Sequence, residues 1–244
     1  MSARSLAGAW ASLRLTLRQL GLTNGLLYIL NRLLDRASGG RVRLVKYMVV
    51  AQPLGLASAS GVRSSGSTVL EDVDASHPWR EDFPRPQAVI AARYANGARC
   101  LAAQVKGRFA GHVWWQRARY EEDEVRCHFL MREAGISAWD FDVYVEPRYR
   151  LGRTLALLWM GAEARMRDEG VQWTFSRISE FNAESLAAHA RLGATPVARA
   201  LFIVAGPWQL ALFNGPPFIH LSLGVGSAPT LAVSPPHPGP SRSA

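Results

Sequence analysis

Apolar positions at the start of the chain recur with helical spacing. Between residues 5 and 20, Leu6, Trp10, Leu13, Leu17 and Leu20 share one stripe, with Arg14 and Arg18 off it. Gly21 stops this helix, and Thr23 can cap the next. A second helix over about 24–36 carries Leu26, Leu27, Leu30, Leu33 and Leu34, and Gly39-Gly40 closes it. The period then shortens. Val42 to Gln52 is β-rich and predicts a strand. Gly55 to Gly66 is a Ser-, Ala- and Gly-rich stretch that predicts a mobile loop. Pro86 to Tyr94 predicts a short helix with proline in its first turn. Asn96-Gly97 then turns the chain into a strand over Cys100–Val105, and Lys106-Gly107 is a hairpin signal leading to Phe109–Trp115. Further strands are predicted at Glu124–Met131 and Trp139–Val145.

Beyond residue 150 helical spacing returns. Leu155, Leu158, Trp159, Ala162 and Met166 mark a helix closed by Gly170. Val171–Ile178 predicts a strand and Asn182–Leu192 a helix, with Gly193 just past its end. Pro196–Val204 and Gln209–Phe213 flank Ala205-Gly206-Pro207-Trp208 as a hairpin. From Gly226 the chain is rich in proline and serine and predicts disorder. Strands joined through helices at both ends of a meander indicate a mixed sheet, in the α/β or α+β class. The expected organisation is a basic helical arm over 1–40, one α/β domain over 41–225 and a disordered tail over 226–244. No internal repeat interrupts it.

Composition sharpens this picture. The 244 residues are 48% apolar and 19% charged, which suits a buried core rather than a disordered chain. The net charge of +9 is unevenly placed: through Lys46 eight basic residues stand against Asp35 alone, a balance of +7. The arm therefore carries the basic character. It reads equally as a pair of helices docked on the body or as a contact with an anionic membrane surface. A transit peptide ranks below both, and nucleic acid is a poor fit because aromatic and polar interleaving is missing. No stretch is apolar enough to span a bilayer. Cys100 and Cys127 fall in no metal-ligand or redox spacing, which suits a reducing, cytoplasmic setting and no metal.

Two segments carry candidate chemistry. In Val143-Tyr144-Val145-Glu146-Pro147-Arg148-Tyr149-Arg150-Leu151-Gly152-Arg153-Thr154 a strand ends at a proline turn and runs through a basic loop into a helix. Unpaired N–H groups and the dipole at such a helix start suit a pyrophosphate, with Arg148, Arg150 and Arg153 around it. An ordinary basic strand-to-helix loop would look the same taken alone. In the second segment, helical periodicity puts Asn182, Ser185 and His189 on one stripe, with Asn182 as N-cap and Ser185 supporting the first turn. Asp140 and Asp142 alternate with Phe141 and Val143, so both carboxylates are expected on one face of the central strand.

Together these segments resemble the GNAT superfamily of acyl-CoA-dependent N-acetyltransferases. Val145-Glu146-Pro147-Arg148-Tyr149-Arg150 matches its strand-to-turn signature. Asn182, Ser185, Arg191, Leu192 and Gly193 match its later helix, with Ala194 where phenylalanine is usual. The resemblance covers about residues 42–223. It implies a GNAT-type mixed sheet flanked by helices, with acetyl-CoA as acyl donor. It also implies that backbone of Val143 and Val145 meets the pantetheine arm, that Arg150, Gly152, Arg153 and Thr154 receive the pyrophosphate, and that Asn182 and Ser185 lie near the pantetheine or thioester. Two positions depart from the pattern. The Gly-rich turn keeps one glycine, Gly152, and His189 stands where the family commonly has a tyrosine that protonates the leaving thiolate.

The function expected is transfer of an acetyl or other short acyl group from acyl-CoA to an amine. His189 would be the acid, and Asp140 or Asp142 the group that takes the amine proton. Glu180 is a further candidate base. Sugar amines, small polyamines, peptides and protein N-termini all fit as acceptor. The alternative is a non-catalytic chain of this fold that binds a membrane surface or a partner.

Overall fold

The computed structural model describes residues 3–55 and 67–236, with side chains from residue 14 onward. The expected loop at 56–66 and the side chains of Leu6, Trp10 and Leu13 lie outside the described residues. The elements are α1 (Ala3–Ser38), β1 (Val42–Pro53), β2 (Thr68–Val73), α2 (Gln87–Ala95), β3 (Arg99–Val105), β4 (Arg108–Arg117), β5 (Arg119–Glu121), β6 (His128–Met131), β7 (Ser137–Val145), α3 (Thr154–Asp168), β8 (Trp173–Ser179), α4 (Ala183–Arg191), β9 (Thr195–Ala205), β10 (Trp208–Phe213), β11 (Ile219–Ser222) and β12 (Thr230–Val233). The fold class is mixed α/β, with parallel and antiparallel strand pairs and four helices among the described residues.

Contacts divide the chain into two compact units. The first takes residues up to Val50, Glu121–Phe129 and Arg177–Val233. Here Gly21, at φ 75° and ψ 168°, breaks α1 into the expected helical pair, a conformation that glycine adopts without steric penalty. A Cβ on Gly25 would come within 2.7 Å of Leu17 Cδ2 and 3.2 Å of Leu17 Cα, so a larger residue here would make the Leu17 side chain shift. Strands follow in the order β11-β10-β9-β1. β9 and β10 are the expected hairpin, with Ala205 opposite Trp208. Tyr47, Phe202 and Phe213 stack edge to face in this core.

The second unit takes Ala51–Tyr120 and Leu130–Ser176. Its strand order is β8-β7-β4-β3-β2, antiparallel except for the parallel pair β7 and β8. Leu158, Ala162 and Met166 of α3 bury against Leu101, Val113, Trp115, Ala138 and Val145. A separate cluster joins Ile90 of α2 to Phe83, Cys100, Phe109 and Trp114. Alternation along β4 explains the two: Val113 and Trp115 serve the α3 cluster, His112 and Trp114 the other.

Three expectations are corrected. The predicted strand Glu124–Met131 is shorter: the Arg126 N–H donates to the Gln209 side chain instead of a neighbouring strand, and only His128–Met131 is extended. Part of the predicted disordered tail forms β12, where Leu231 and Val233 are buried at 2% and 4% exposure. The remaining tail from 237 lies outside the described residues. Finally, β2 and β11 were not anticipated. Both end their strand order, and their half-exposed residues show weak alternation.

Candidate functional site

The central feature of the second unit is an irregularity in β7. Opposite β4 the register runs Trp114↔Phe141, then His112↔Tyr144, so two residues of β7 oppose one of β4. This is a β-bulge, and Asp142 sits in it at φ 46°, a left-handed conformation that aspartate tolerates better than most residues. The bulge breaks the alternation on which the paired carboxylates depended. Asp140 and Asp142 therefore do not share a face, and that expectation is corrected.

Asp142 turns toward α2. It pairs with Arg93 Nη1 at 2.5 Å and with Arg85, and His112 Nε2 lies 3.5 Å away. Arg93 also lies over the rings of Trp114 and Phe141. Burial alone would raise the Asp142 carboxyl, but His112 and Arg93 outweigh it and hold the group well below the usual carboxylate range. Burial also lowers His112, which keeps the imidazole neutral near pH 7. A carboxylate stabilised in this way is a poor acceptor of an amine proton.

Asp140 has the opposite environment. Alternation from Ala138 places it on the α3 side, and the pairing of Ala138 with Thr174 brings Thr174 and Ser176 beside it. Burial pushes its carboxyl from the usual 3.8 up to about 7, and the two hydroxyls only partly counter this. It is the β7 acid whose affinity for a proton suits base chemistry near neutrality.

The parallel ladder of β7 with β8 covers Ser137–Trp139. Farther along, Val143 is 42% exposed. Val145 buries its side chain in the α3 cluster, and the Glu146 N–H donates to Ala110 O at 2.9 Å. The Val145 carbonyl, on the same peptide, points to the opposite edge and accepts Arg150 Nε at 3.0 Å. A 3₁₀ turn at Pro147–Tyr149 then leads into α3. Arg153 is its N-cap residue, no side-chain cap is seen among the described residues, and its first turn contains no acid. Gly152, Arg153 and Thr154 come together with Arg148 around a cavity of about 260 Å³. Arg150 instead clips Val145, and Arg148 lies 5.0 Å from the Tyr149 ring centre.

In the first unit, Asn182 caps α4: its Oδ1 accepts the Ser185 N–H at 3.0 Å, as its spacing predicted. His189 Nδ1 lies 2.8 Å from the Ser185 carbonyl. A carbonyl only accepts, so Nδ1 carries the hydrogen in this contact and Nε2 is the ring nitrogen outside it. Neutral His189 then offers an acceptor at Nε2, and only the imidazolium donates there. The start of α4 also borders a cleft of about 580 Å³, lined by Phe181, Asn182, Glu184 and Ala187 together with Gln19 and Tyr28 of α1. Glu180 is 4% exposed and pairs with Lys46 at 3.1 Å, with Asn24 donating to it at 3.2 Å.

His112, Arg85 and Arg93 are residues that sequence reasoning missed. The available signal was a lone histidine in the apolar strand Gly111-His112-Val113-Trp114, next in space to an aspartate-bearing strand. Among the described residues no group of three His, Cys, Asp or Glu side chains is placed to hold a metal ion.

No protein-family model and no curated protein matches this chain. Solved structures similar to it include GNAT proteins. A tandem GNAT protein from the clavulanic acid biosynthesis pathway aligns at 15% identity and a TM-score of 0.47. The match covers 74% of this chain and 57% of that protein, so the chain spans little more than half its length. A putative GNAT-family acetyltransferase from Novosphingobium aromaticivorans aligns at 17% identity and a TM-score of 0.44, over 68% of this chain and 67% of its own. A GCN5-related N-acetyltransferase from Ralstonia eutropha aligns at 14% and 0.35, over 53% of this chain and 93% of its own.

Proposed function

We propose that this chain is a GNAT-type acyltransferase, moving an acetyl or other short acyl group from acyl-CoA to an amine. The observation that carries the reading is the strand-to-helix passage of the second unit. A bulged β7 runs through a basic turn into an α3 whose first turn holds neither an acid nor, among the described residues, a side-chain cap. Free N–H groups, the helix dipole and the arginines of this turn suit a diphosphate. Arg148 and Arg153 at the cavity take over charge that glycine backbones supply in the family's usual turn, and exposed Val143 offers strand backbone to the pantetheine arm.

In the reaction the neutral amine attacks the thioester carbonyl, the C–S bond breaks, and the thiolate leaves. A buried carboxylate such as Asp140 would take the proton released by the amine, and the thiolate gains one from a general acid, for which His189 is the candidate that the sequence offers. Asp142 serves instead to fix the bulge. The reading places the activity in the cytoplasm and needs no metal.

Calorimetric titration with acetyl-CoA tests it. Saturable binding is expected, and changing both Arg148 and Arg153 to Ala should weaken it at least about tenfold, since each lost charge-assisted contact is worth ~1.5–3 kcal/mol. Equal affinity in the double variant would refute this placement. Binding without turnover on a panel of amines would favour a non-catalytic role.

A further inference from the structure

The second half of α1 packs with its polar side inward. Asn24 donates to Glu180 and accepts from Lys46 Nζ at 2.7 Å. Asn31 Oδ1 accepts the Leu44 N–H at 2.7 Å. Tyr28 meets Phe181 edge to face at 5.7 Å. These three residues hold the helix to the first unit. The leucines turn the other way: Leu22, Leu26, Leu30 and Leu33 are 68%, 54%, 46% and 60% exposed. At ~100° per residue the four fall within an arc of about 80°, opposite Asn24, Tyr28 and Asn31. A docked amphipathic helix ordinarily buries such a stripe, so this one is shaped for a second surface.

We infer that this leucine face docks on an anionic lipid bilayer. Exposed Arg32 and Arg36 border the stripe, and exposed Arg14, Arg18 and Leu15 precede the kink. Apolar side chains flanked by arginines are the composition of a helix lying in the plane of an interface, where the leucines enter the acyl boundary and the guanidiniums meet lipid phosphates. No helix among the described residues is long and apolar enough to cross a membrane, which agrees with a helix that lies flat. The same arginines oppose pairing with a second copy, because face-to-face stripes would bring like charges together. The polar contacts of Asn24 and Asn31 leave the leucine face outward without any rearrangement. Docking here does not depend on the acyl-transfer reading.

The test is flotation of the full chain with vesicles of phosphatidylcholine alone or with added phosphatidylserine, at low and high salt. Binding is expected only with the anionic lipid and should weaken with salt. Changing Leu26 and Leu30 together to Ser should lower partitioning at least about tenfold, and Arg32→Ala with Arg36→Ala should lower it and flatten the salt dependence. Circular dichroism and thermal melting identify any variant that fails to fold; Leu26→Met with Leu30→Met, which keeps the face apolar, should bind as the parent does. Failure of the parent to float with anionic vesicles overturns the inference, as does undiminished flotation of the folded serine variant. A dimer in solution that the serine variant dissociates also overturns it and assigns the face to a second copy.

Discussion

Replacing Asp140 with Asn should remove a loss of stability that the parent suffers as pH rises toward neutrality. In the folded chain burial raises the Asp140 carboxyl to about 7, against a usual 3.8. Below pH 4 both states are protonated, and the residue adds no pH dependence. Between pH 4 and 7 the unfolded chain loses this proton while the folded chain keeps it. Stability therefore falls as pH rises through this window and levels off above it. The gap between the two values corresponds to about 4 kcal/mol, of which roughly 3 kcal/mol lies between pH 5 and 8. Asparagine keeps the shape of the side chain and does not titrate. Urea unfolding of parent and Asp140→Asn at pH 5 and pH 8 measures the effect. The variant should gain on the parent by a few kcal/mol between the two conditions, whatever its offset at pH 5. A stability difference that is the same at both pH values would show that Asp140 does not hold its proton in the folded state, and would remove the argument for it as base. If Asp140 also takes the amine proton, the variant should lose turnover while escaping that loss of stability, a trade expected where a costly buried acid serves chemistry.

Arg93→Met should cost about 3–5 kcal/mol, because it leaves the nearly buried Asp142 without its better-shielded partner; thermal or chemical unfolding measures this. Since Asp142 lies below its unfolded value, its stabilising contribution is present above pH 4 and should fade on acidification, unlike that of Asp140. Asn182→Ala should lower stability by about 1 kcal/mol through loss of the α4 cap, with Asn182→Asp retaining most of it. His189→Ala should lower turnover ~10²- to 10⁴-fold with little change in acetyl-CoA affinity, and His189→Tyr should recover part. Unchanged turnover would leave His189 as a helix residue bonded to Ser185.

What the sequence determined by itself is what depends on neighbours along the chain. The break at Gly21, the cap at Asn182 and the hairpin of β9 and β10 follow from local conformation and hydrophobic period, and each was legible. The basic turn before α3 was legible for the same reason, as a run of residues between a strand and a helix start. Tertiary structure decided what depends on register. A single extra residue in β7 separated Asp140 from Asp142, and no local pattern announces a bulge that is defined by the strand opposite. It then gave two aspartates of one strand opposite electrostatics, one among arginines from elsewhere in the chain and one buried beside two hydroxyls. The arm shows the same limit. Periodicity found leucines along the second helix, but only the polar contacts of Asn24 and Asn31 with β1 and Glu180 determined that Leu26, Leu30 and Leu33 face outward while Leu27 and Leu34 are half-buried. A helix binds through the face with better-matched partners, and those partners lie far away in sequence.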